Sequence, residues 1–151
     1  MNSYNFQITD NSDIFKVAMD AAADEIAEAI GIQAQSHTIE NIRAAGRVDT
    51  GLMANSVAYA VGGKSAVPES YKADRTSDSG TYSGTAPQDG PGEKTVYDGS
   101  NLEYFAYQEL GFRLPSGAHV APMNALKRGV EQAGSEADRI ARSIMETAPE
   151  G

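Results

Sequence analysis

A helical pattern over the first 45 of the chain's 151 residues limits the fold more than any other feature. The side chains of residues 11–13 (Asn-Ser-Asp) can cap free amide groups, so we expect the helix to begin there. Apolar residues then recur at steps of three or four and define one stripe: Phe15, Met19, Ala22, Ile26 and Ile30. A charged stripe runs beside it: Lys16, Asp20, Asp24 and Glu28.

Gly31 interrupts this pattern, at a cost of about 1 kcal/mol relative to alanine. The apolar face resumes with a shifted phase at Ile32, Ile39 and Ile42. We predict one long helix with a bend at Gly31, ending near residues 45–46. Because a compact domain of this size does not need so long a helix, we expect the surplus to pack on a neighbouring subunit.

Two strands are predicted after this helix. Val57, Tyr59 and Val61 alternate with smaller residues, a period of two that is typical of a β-strand. Residues 95–97 form a weaker second strand. A short helical turn through Ala54 is expected just before the first strand, with the carboxylate of Asp49 as its cap.

The connection between the strands, residues 62–94, is mostly glycine, serine, threonine, proline and aspartate. A connection beyond about 15 residues without its own structure is usually functional or disordered. Two interpretations stay open, a hairpin arm lying across an adjacent copy and a flexible insertion. For the arm, Tyr71 and Tyr82 are the candidate interface anchors, because each combines a large apolar area with a polar tip.

A short middle helix is predicted over residues 102–110. Ser100 and Glu103 have the spacing of a capping box, in which the serine caps the helix and the glutamate reaches back to it. Gly111 falls where a left-handed residue commonly ends a helix. Within this helix, Glu109 is a candidate ion-pair partner of a nearby arginine, such as Arg113 or Arg47.

The last third of the chain predicts a turn at residues 115–117 and a second long helix. Pro122 suits the first position of that helix, where a missing amide hydrogen costs nothing. An apolar stripe then runs to about Thr147: Leu126, Val130, Ala133, Ala137, Ile140, Ala141 and Ile144. Basic residues on the other faces can meet the acidic stripe of the first helix, within the subunit or across a contact: Lys127, Arg128, Arg139 and Arg142.

These elements predict an α+β fold in a single domain over residues 1–151. Its long N-terminal helix and C-terminal helix are expected to pack on a small antiparallel sheet, with the 62–94 segment as an extension. The chain has no cysteine, which removes disulfide scaffolds and thiol catalysis. It shows neither a secretory leader nor an apolar run of roughly 20 residues, so we expect a soluble protein made in the cytoplasm, with no membrane partner.

The net charge is −9, with 21 acidic and 12 basic residues. Proteins that bind nucleic acid tightly gather lysine and arginine to release phosphate counterions, and this chain does the opposite. Two interpretations of the acidity stay open. It suits DNA that must slide past without sticking, and it also simply keeps a protein in solution.

No catalytic, metal or cofactor site is predicted. His37 and His119 lack metal-ligand spacing, and no serine lies in a G-x-S-x-G elbow. Residues 49–51 (Asp-Thr-Gly) also occur in aspartic proteases. That chemistry needs two aspartates sharing a proton, and the chain has no second such motif.

Three stretches together resemble the tail-component family of long-tailed bacteriophages. Residues 47–56 (RVDTGLMANS) are similar to the family pattern P-V-D-T-G-x-L-x-x-S, with Arg47 in place of proline. Residues 97–112 are similar to V-G-x-x-x-x-Y-A-x-Y-x-E-x-G-T, with one extra residue between Tyr104 and Ala106 and Phe112 in place of threonine. Residues 122–126 (PMNAL) are a shortened form of P-F-L-R-P-A-L.

The resemblance implies a non-enzymatic structural protein of the virion, assembled in the host cytoplasm and located at the tail or the head–tail junction. Such proteins form rings, commonly sixfold or twelvefold, that contact other tail, neck or portal-adaptor proteins while DNA passes through the lumen. Two alternatives from other classes are an acidic, monomeric protein-binding module that mimics DNA, and a small hydrolase with a dimeric site built on Asp49.

Overall fold

The computed structural model describes residues 12–47, 51–61, 64–65, 70–72, 81–83, 96–100, 102 and 104–147. The fold is α+β, as predicted. The helices are α1 (Ser12–Ala44), α2 (Leu52–Asn55), α3 (Phe105–Leu110) and α4 (Ala125–Thr147). The strands are β1 (Val57–Val61), β2 (Lys64–Ser65), β3 (Ser70–Lys72), β4 (Thr81–Ser83), β5 (Val96–Ser100), β6 (Phe112–Arg113) and β7 (His119–Val120).

The central sheet is antiparallel, with the order β2-β1-β5. The predicted first strand is confirmed as β1, and its partner β5 runs further than expected, because Ser100 still pairs with Val57. Both faces of β1 are covered, since Ala58 and Ala60 are buried as well as Val57 and Val61.

α1 lies across this sheet, and Gly31 is the point of closest approach. A Cβ atom added at Gly31 would lie 2.8 Å from Cδ2 of Tyr59 and 3.0 Å from Cγ1 of Val96. The sequence marked Gly31 as a break in an apolar pattern. In the folded chain it lies within one continuous helix, at the position where a side chain would push the helix off the sheet.

α4 packs antiparallel along α1, and a second glycine sets their spacing. A Cβ atom at Gly129 would collide with the hydroxyl of Thr38 and lie 2.7 Å from its backbone nitrogen. His37 of α1 meets Glu136 of α4 further along the pair. At the point where Gly129 meets Thr38, the small side chains let the two backbones approach closely.

The buried face of α1 matches the predicted stripe only in part, at Ala22 and Ile42. The buried positions are mostly small and recur at helical steps: Ala22, Ala27, Gly31, Ala34, Thr38 and Ile42. Phe15 is 67% exposed and Met19 is 40% exposed, so the expectation that they belong to the buried stripe of this chain was wrong. Phe15 and Met19 precede the part of α1 that the sheet and α4 cover, and within that covered part small residues let the helix approach both.

α4 begins three residues later than predicted, at Ala125, and ends at Thr147 as predicted. Pro122 is therefore not the first helical residue. Asn124 takes the position before the helix with a φ of 53°, and its carbonyl accepts the amide hydrogen of Arg128. Asparagine tolerates this left-handed conformation better than most residues.

The predicted turn at residues 115–117 and a strand pair within the 62–94 segment are present in the described residues. β6 and β7 pair antiparallel around residues 115–117, where Gly117 has a φ of 85° and donates to the Leu114 carbonyl. β3 and β4 also pair antiparallel, with Tyr71 opposite Tyr82. β3 lies beside α2 of the same chain. The other residues of the 62–94 segment, apart from β2, lie outside the described part.

Candidate functional site

The three stretches that carry the family resemblance meet in one hydrophobic cluster. Met53 and Ala54 come from the first stretch, Phe105 from the second, and Met123 and Ala125 from the third. Ile42 of α1 and Val57 of β1 complete it. Residues from the three stretches 47–56, 97–112 and 122–126 therefore build a single core, which we call the motif junction.

Glu109 is the polar centre of the motif junction. One carboxylate oxygen accepts the amide hydrogens of Ala125 and Leu126 at 2.8 and 3.2 Å, and the other accepts that of Lys127 at 3.0 Å. The residue is only 8% exposed. The first amides of a helix have no partner inside it and carry a partial positive charge, so a buried carboxylate satisfies both the hydrogen bonds and the charge.

The prediction that Glu109 pairs with Arg113 or Arg47 was therefore wrong. The residues next to Glu109 in sequence do not indicate its partners, because those partners lie 16 to 18 residues further along the chain. Backbone hydrogen bonds join the same two helix ends. Met123 donates to the Gln108 carbonyl at 2.9 Å, so the end of α3 and the start of α4 satisfy each other.

Arg47, which replaces the family's proline, links the end of α1 to the same junction. Its guanidinium donates to the Ala121 carbonyl at 2.8 Å and to the side-chain oxygen of Gln108 at 3.3 Å. It thus touches the second and third stretches at once.

Gly111 ends α3, as predicted. Its φ of 78° is positive, but its ψ of 161° is extended rather than left-handed helical. A Cβ atom there would lie 2.7 Å from the Val120 carbonyl oxygen and 2.9 Å from the nitrogen of Pro122. The glycine is required both by its backbone angle and by the close passage of the third stretch.

The predicted capping box does not cap α3. The helix begins at Phe105, and Tyr104 precedes it without a side-chain cap. Ser100 remains in β5, where its hydroxyl accepts from the Leu102 amide at 3.1 Å and lies 2.6 Å from the hydroxyl of Ser56. Strand pairing up to Ser100 places it too early for the cap.

Two more predicted capping residues concern the starts of α2 and α3. Asp49 and Glu103 lie outside the described residues. In the described part, Gly51 with a φ of 79° occupies the position before α2, where no side-chain cap is present.

A buried carboxyl that the sequence did not single out lies where α1 crosses the sheet. Oδ2 of Asp98 is 3.2 Å from the Thr38 hydroxyl, which also donates to the Ala34 carbonyl at 2.7 Å. The amide of Gly99 donates to Oδ1 at 3.1 Å. Burial raises the pKa of Asp98 to about 7, and the hydrogen bonds from Thr38 and Gly99 oppose the rise only in part. Only a three-dimensional contact reveals this group, because an aspartate near the end of a strand is ordinary in sequence.

The predicted interface residues of the helices lie on the surface at separate places. Asp20, Asp24 and Glu28 are exposed on α1, and Glu28 accepts a 3.4 Å hydrogen bond from the Tyr59 hydroxyl. Partial burial of the Tyr59 hydroxyl and the negative charge of Glu28 raise the pKa of Tyr59. Arg142 is exposed on α4, and Arg139 pairs with Glu136 of its own helix at 3.0 Å.

The histidines have separate structural positions. Nε2 of His37 lies 3.1 Å from Glu136 and Nδ1 lies 3.7 Å from Glu40, so the ring links α1 to α4. His119 is exposed in β7. Among the described residues, no group of three or more histidine, aspartate or glutamate side chains is placed to hold a metal ion.

No protein-family model matches the chain, and neither a curated protein nor a solved structure matches it. In the part of the chain that the structure describes, no helix is both long and apolar enough to cross a membrane.

Proposed function

We propose that the protein is a structural component of the head–tail junction of a long-tailed bacteriophage. In this proposal it forms a sixfold or twelvefold ring, contacts tail, neck or portal-adaptor proteins, and lets DNA pass through the lumen without binding it. The protein does no chemistry of its own and uses no cofactor.

The observation that supports this most is the motif junction. The three stretches that resemble the tail-component family share one hydrophobic core, although the first lies about 40 residues before the second, and a buried hydrogen bond to Glu109 joins the second to the third. Residue patterns kept for catalysis would be expected to place reactive side chains in an accessible pocket. Here the shared residues fix the relative position of α1, α3 and α4, which suits a protein whose shape is its function.

The charge agrees with a DNA conduit. The chain carries a net charge of −9, and exposed carboxylates follow α1, so a lumen lined by this helix would repel the phosphate backbone. A monomeric DNA mimic would present the same acidity to a basic protein instead, and the two are separated by oligomeric state.

The direct test is to purify the full chain, measure its mass by native mass spectrometry and image it by electron microscopy. The proposal expects closed rings in the purified protein and the same protein, by proteomics, in purified phage particles at the head–tail junction. A protein absent from the particles would overturn the proposal, and a monomer bound tightly to a basic protein would establish the alternative.

The 62–94 segment has its own test. Deleting residues 64–92 removes β2, β3 and β4 but leaves the five-residue pairing of β1 with β5, so we expect a folded monomer that cannot assemble. Normal ring formation by this deletion variant would show that the segment is not a subunit contact.

A further inference from the structure

Within the described part of the chain, the N-terminal part of α1 extends beyond the elements that pack on the helix. α4 runs antiparallel to α1, with Gly129 against Thr38, so counting 18 residues along each helix places its last residue, Thr147, level with about Asp20, just before Ala22, the first buried residue of α1. Residues 12–21, which we call the overhang, are all exposed. They include large apolar side chains that are 40 to 69% exposed: Ile14, Phe15, Val17 and Met19.

A second exposed apolar surface lies at the other end of the molecule. Tyr104, Tyr107 and Leu110 follow one face of α3 at three-residue steps and are 42, 59 and 73% exposed. The ring of Phe112 contacts that of Tyr107 edge-on, with centroids 6.4 Å apart, and Leu114 is 43% exposed in the next turn. We call these five residues the α3–hairpin patch.

The two surfaces are far apart and cannot meet within one subunit. The 33 residues of α1 span about 50 Å. The patch lies at the C-terminal end of α1, because Arg47 just beyond that end contacts Gln108 of α3. The overhang is the opposite end.

Their charges are opposite. The overhang carries Asp13 and Asp20 against Lys16, and three more acidic residues follow it on α1: Asp24, Glu25 and Glu28. Around the patch, residues 104–130 carry Arg113, Lys127 and Arg128 on the surface, and their one acidic residue, Glu109, is buried against the start of α4. An acidic apolar segment and a basic apolar patch on the same chain are complementary to each other.

We infer that the overhang of one copy docks on the α3–hairpin patch of a second copy. Because the two surfaces differ, the contact is heterologous, and an open chain of subunits keeps one free surface of each kind, one at either end, until a ring closes. This inference rests on the self-association part of the proposed function and names one pair of surfaces that contributes to it, alongside the 62–94 segment. Apolar contacts supply most of the affinity, and the opposite charges orient the pair.

Two full-length variants test this inference. The overhang variant carries Phe15→Glu and Val17→Glu, and the patch variant carries Tyr107→Glu and Leu110→Glu. Ile32→Glu is the control, since Ile32 is 47% exposed in the middle of α1 and belongs to neither surface. Mass is measured by light scattering and native mass spectrometry over a concentration series.

We expect wild type and the control to assemble equally, and each variant to lose self-association by roughly 30-fold or more. Mixing the two variants is the decisive step. Each retains the surface that the other lacks, so the mixture should form one-to-one dimers and nothing larger. Dimer formation also shows that both variants are folded.

Three results would overturn the inference. They are wild type that stays monomeric, variants that assemble like wild type, and a mixture that forms no dimer. Variants that assemble normally in a protein found in phage particles would remove this interface and leave the proposed function intact. One-to-one dimers from a protein absent from phage particles would remove the function and leave the interface.

Discussion

The two parts of α1 follow different rules although they form one uninterrupted helix. From Ala22 to Ile42 the helix lies between the sheet and α4, and its buried positions are occupied mainly by alanine, glycine and threonine. In the overhang, isoleucine, phenylalanine, valine and methionine face outward. Large apolar residues therefore do not mark the internal contact of this helix. The internal contact is marked instead by small residues, because only these allow the backbones to approach closely.

The largest effect is expected from breaking the close approach at Gly129. Gly129→Ala places a methyl group against the backbone of Thr38, which cannot move unless α1 and α4 separate, so we expect a loss of roughly 3 kcal/mol or more. Gly134 is the matched control on the same helix, with nothing within 4 Å of an added Cβ. Gly134→Ala should stabilise the protein by up to about 1 kcal/mol. Urea unfolding measures both, and equal effects would show that α1 and α4 are not in close contact.

The next largest loss of stability is expected at the start of α4, the helix that covers one side of α1. Glu109→Ala leaves three amide hydrogens at the buried start of α4 without partners, and we expect a loss of roughly 2 to 4 kcal/mol. Glu131→Ala, at an exposed position of α4, should change the free energy of unfolding by less than about 0.5 kcal/mol. Similar midpoints for the two variants in chemical unfolding would contradict the proposed role of Glu109.

The covered part of α1 should also be sensitive to pH through Asp98. Its pKa is raised from 3.8 to about 7 in the folded state, so the folded protein favours the neutral carboxyl. The stabilisation is complete below about pH 4 and is lost as the pH rises through 7, by roughly 2 to 4 kcal/mol.

Asp98→Asn should remove this part of the pH dependence, because the amide stays neutral throughout. The variant should therefore be more stable than wild type by a larger margin at pH 8 than at pH 5. Thermal melting at the two pH values makes the measurement. A wild-type profile that the substitution leaves unchanged would show that Asp98 is ionised in the folded protein at both pH values.

The smallest effect is expected in the overhang, and a pair of valines isolates it. Val17 is 69% exposed and Val57 is 1% exposed. Val17→Ala should change the stability of the monomer by less than about 0.5 kcal/mol, whereas Val57→Ala should cost roughly 2 kcal/mol. Dilute protein should be used for both measurements, so that self-association does not contribute. A large loss at Val17 would mean that the overhang is covered within its own subunit.

Much of the candidate site was present in the sequence as local signals. Gly111 was placed correctly at the end of α3, because a helix followed by glycine is a local pattern. The partners of Glu109 could not be predicted in this way, because they depend on how the end of α3 meets the start of α4. Ser100 failed as a cap for a related reason. Its pairing with Val57, some 40 residues earlier, extends β5 past the position where a cap would have to lie.

By itself, the sequence determined the existence of both long helices, the first strand, the turn at residues 115–117 and the acidic charge, because periodicity, turn residues and composition are local properties. The tertiary structure alone decided which face of α1 is buried, where α4 begins and why Gly31 and Gly129 must be glycine. Those features depend on distances between backbones that are remote in sequence, and hydrophobic periodicity carries no information about how closely two elements approach.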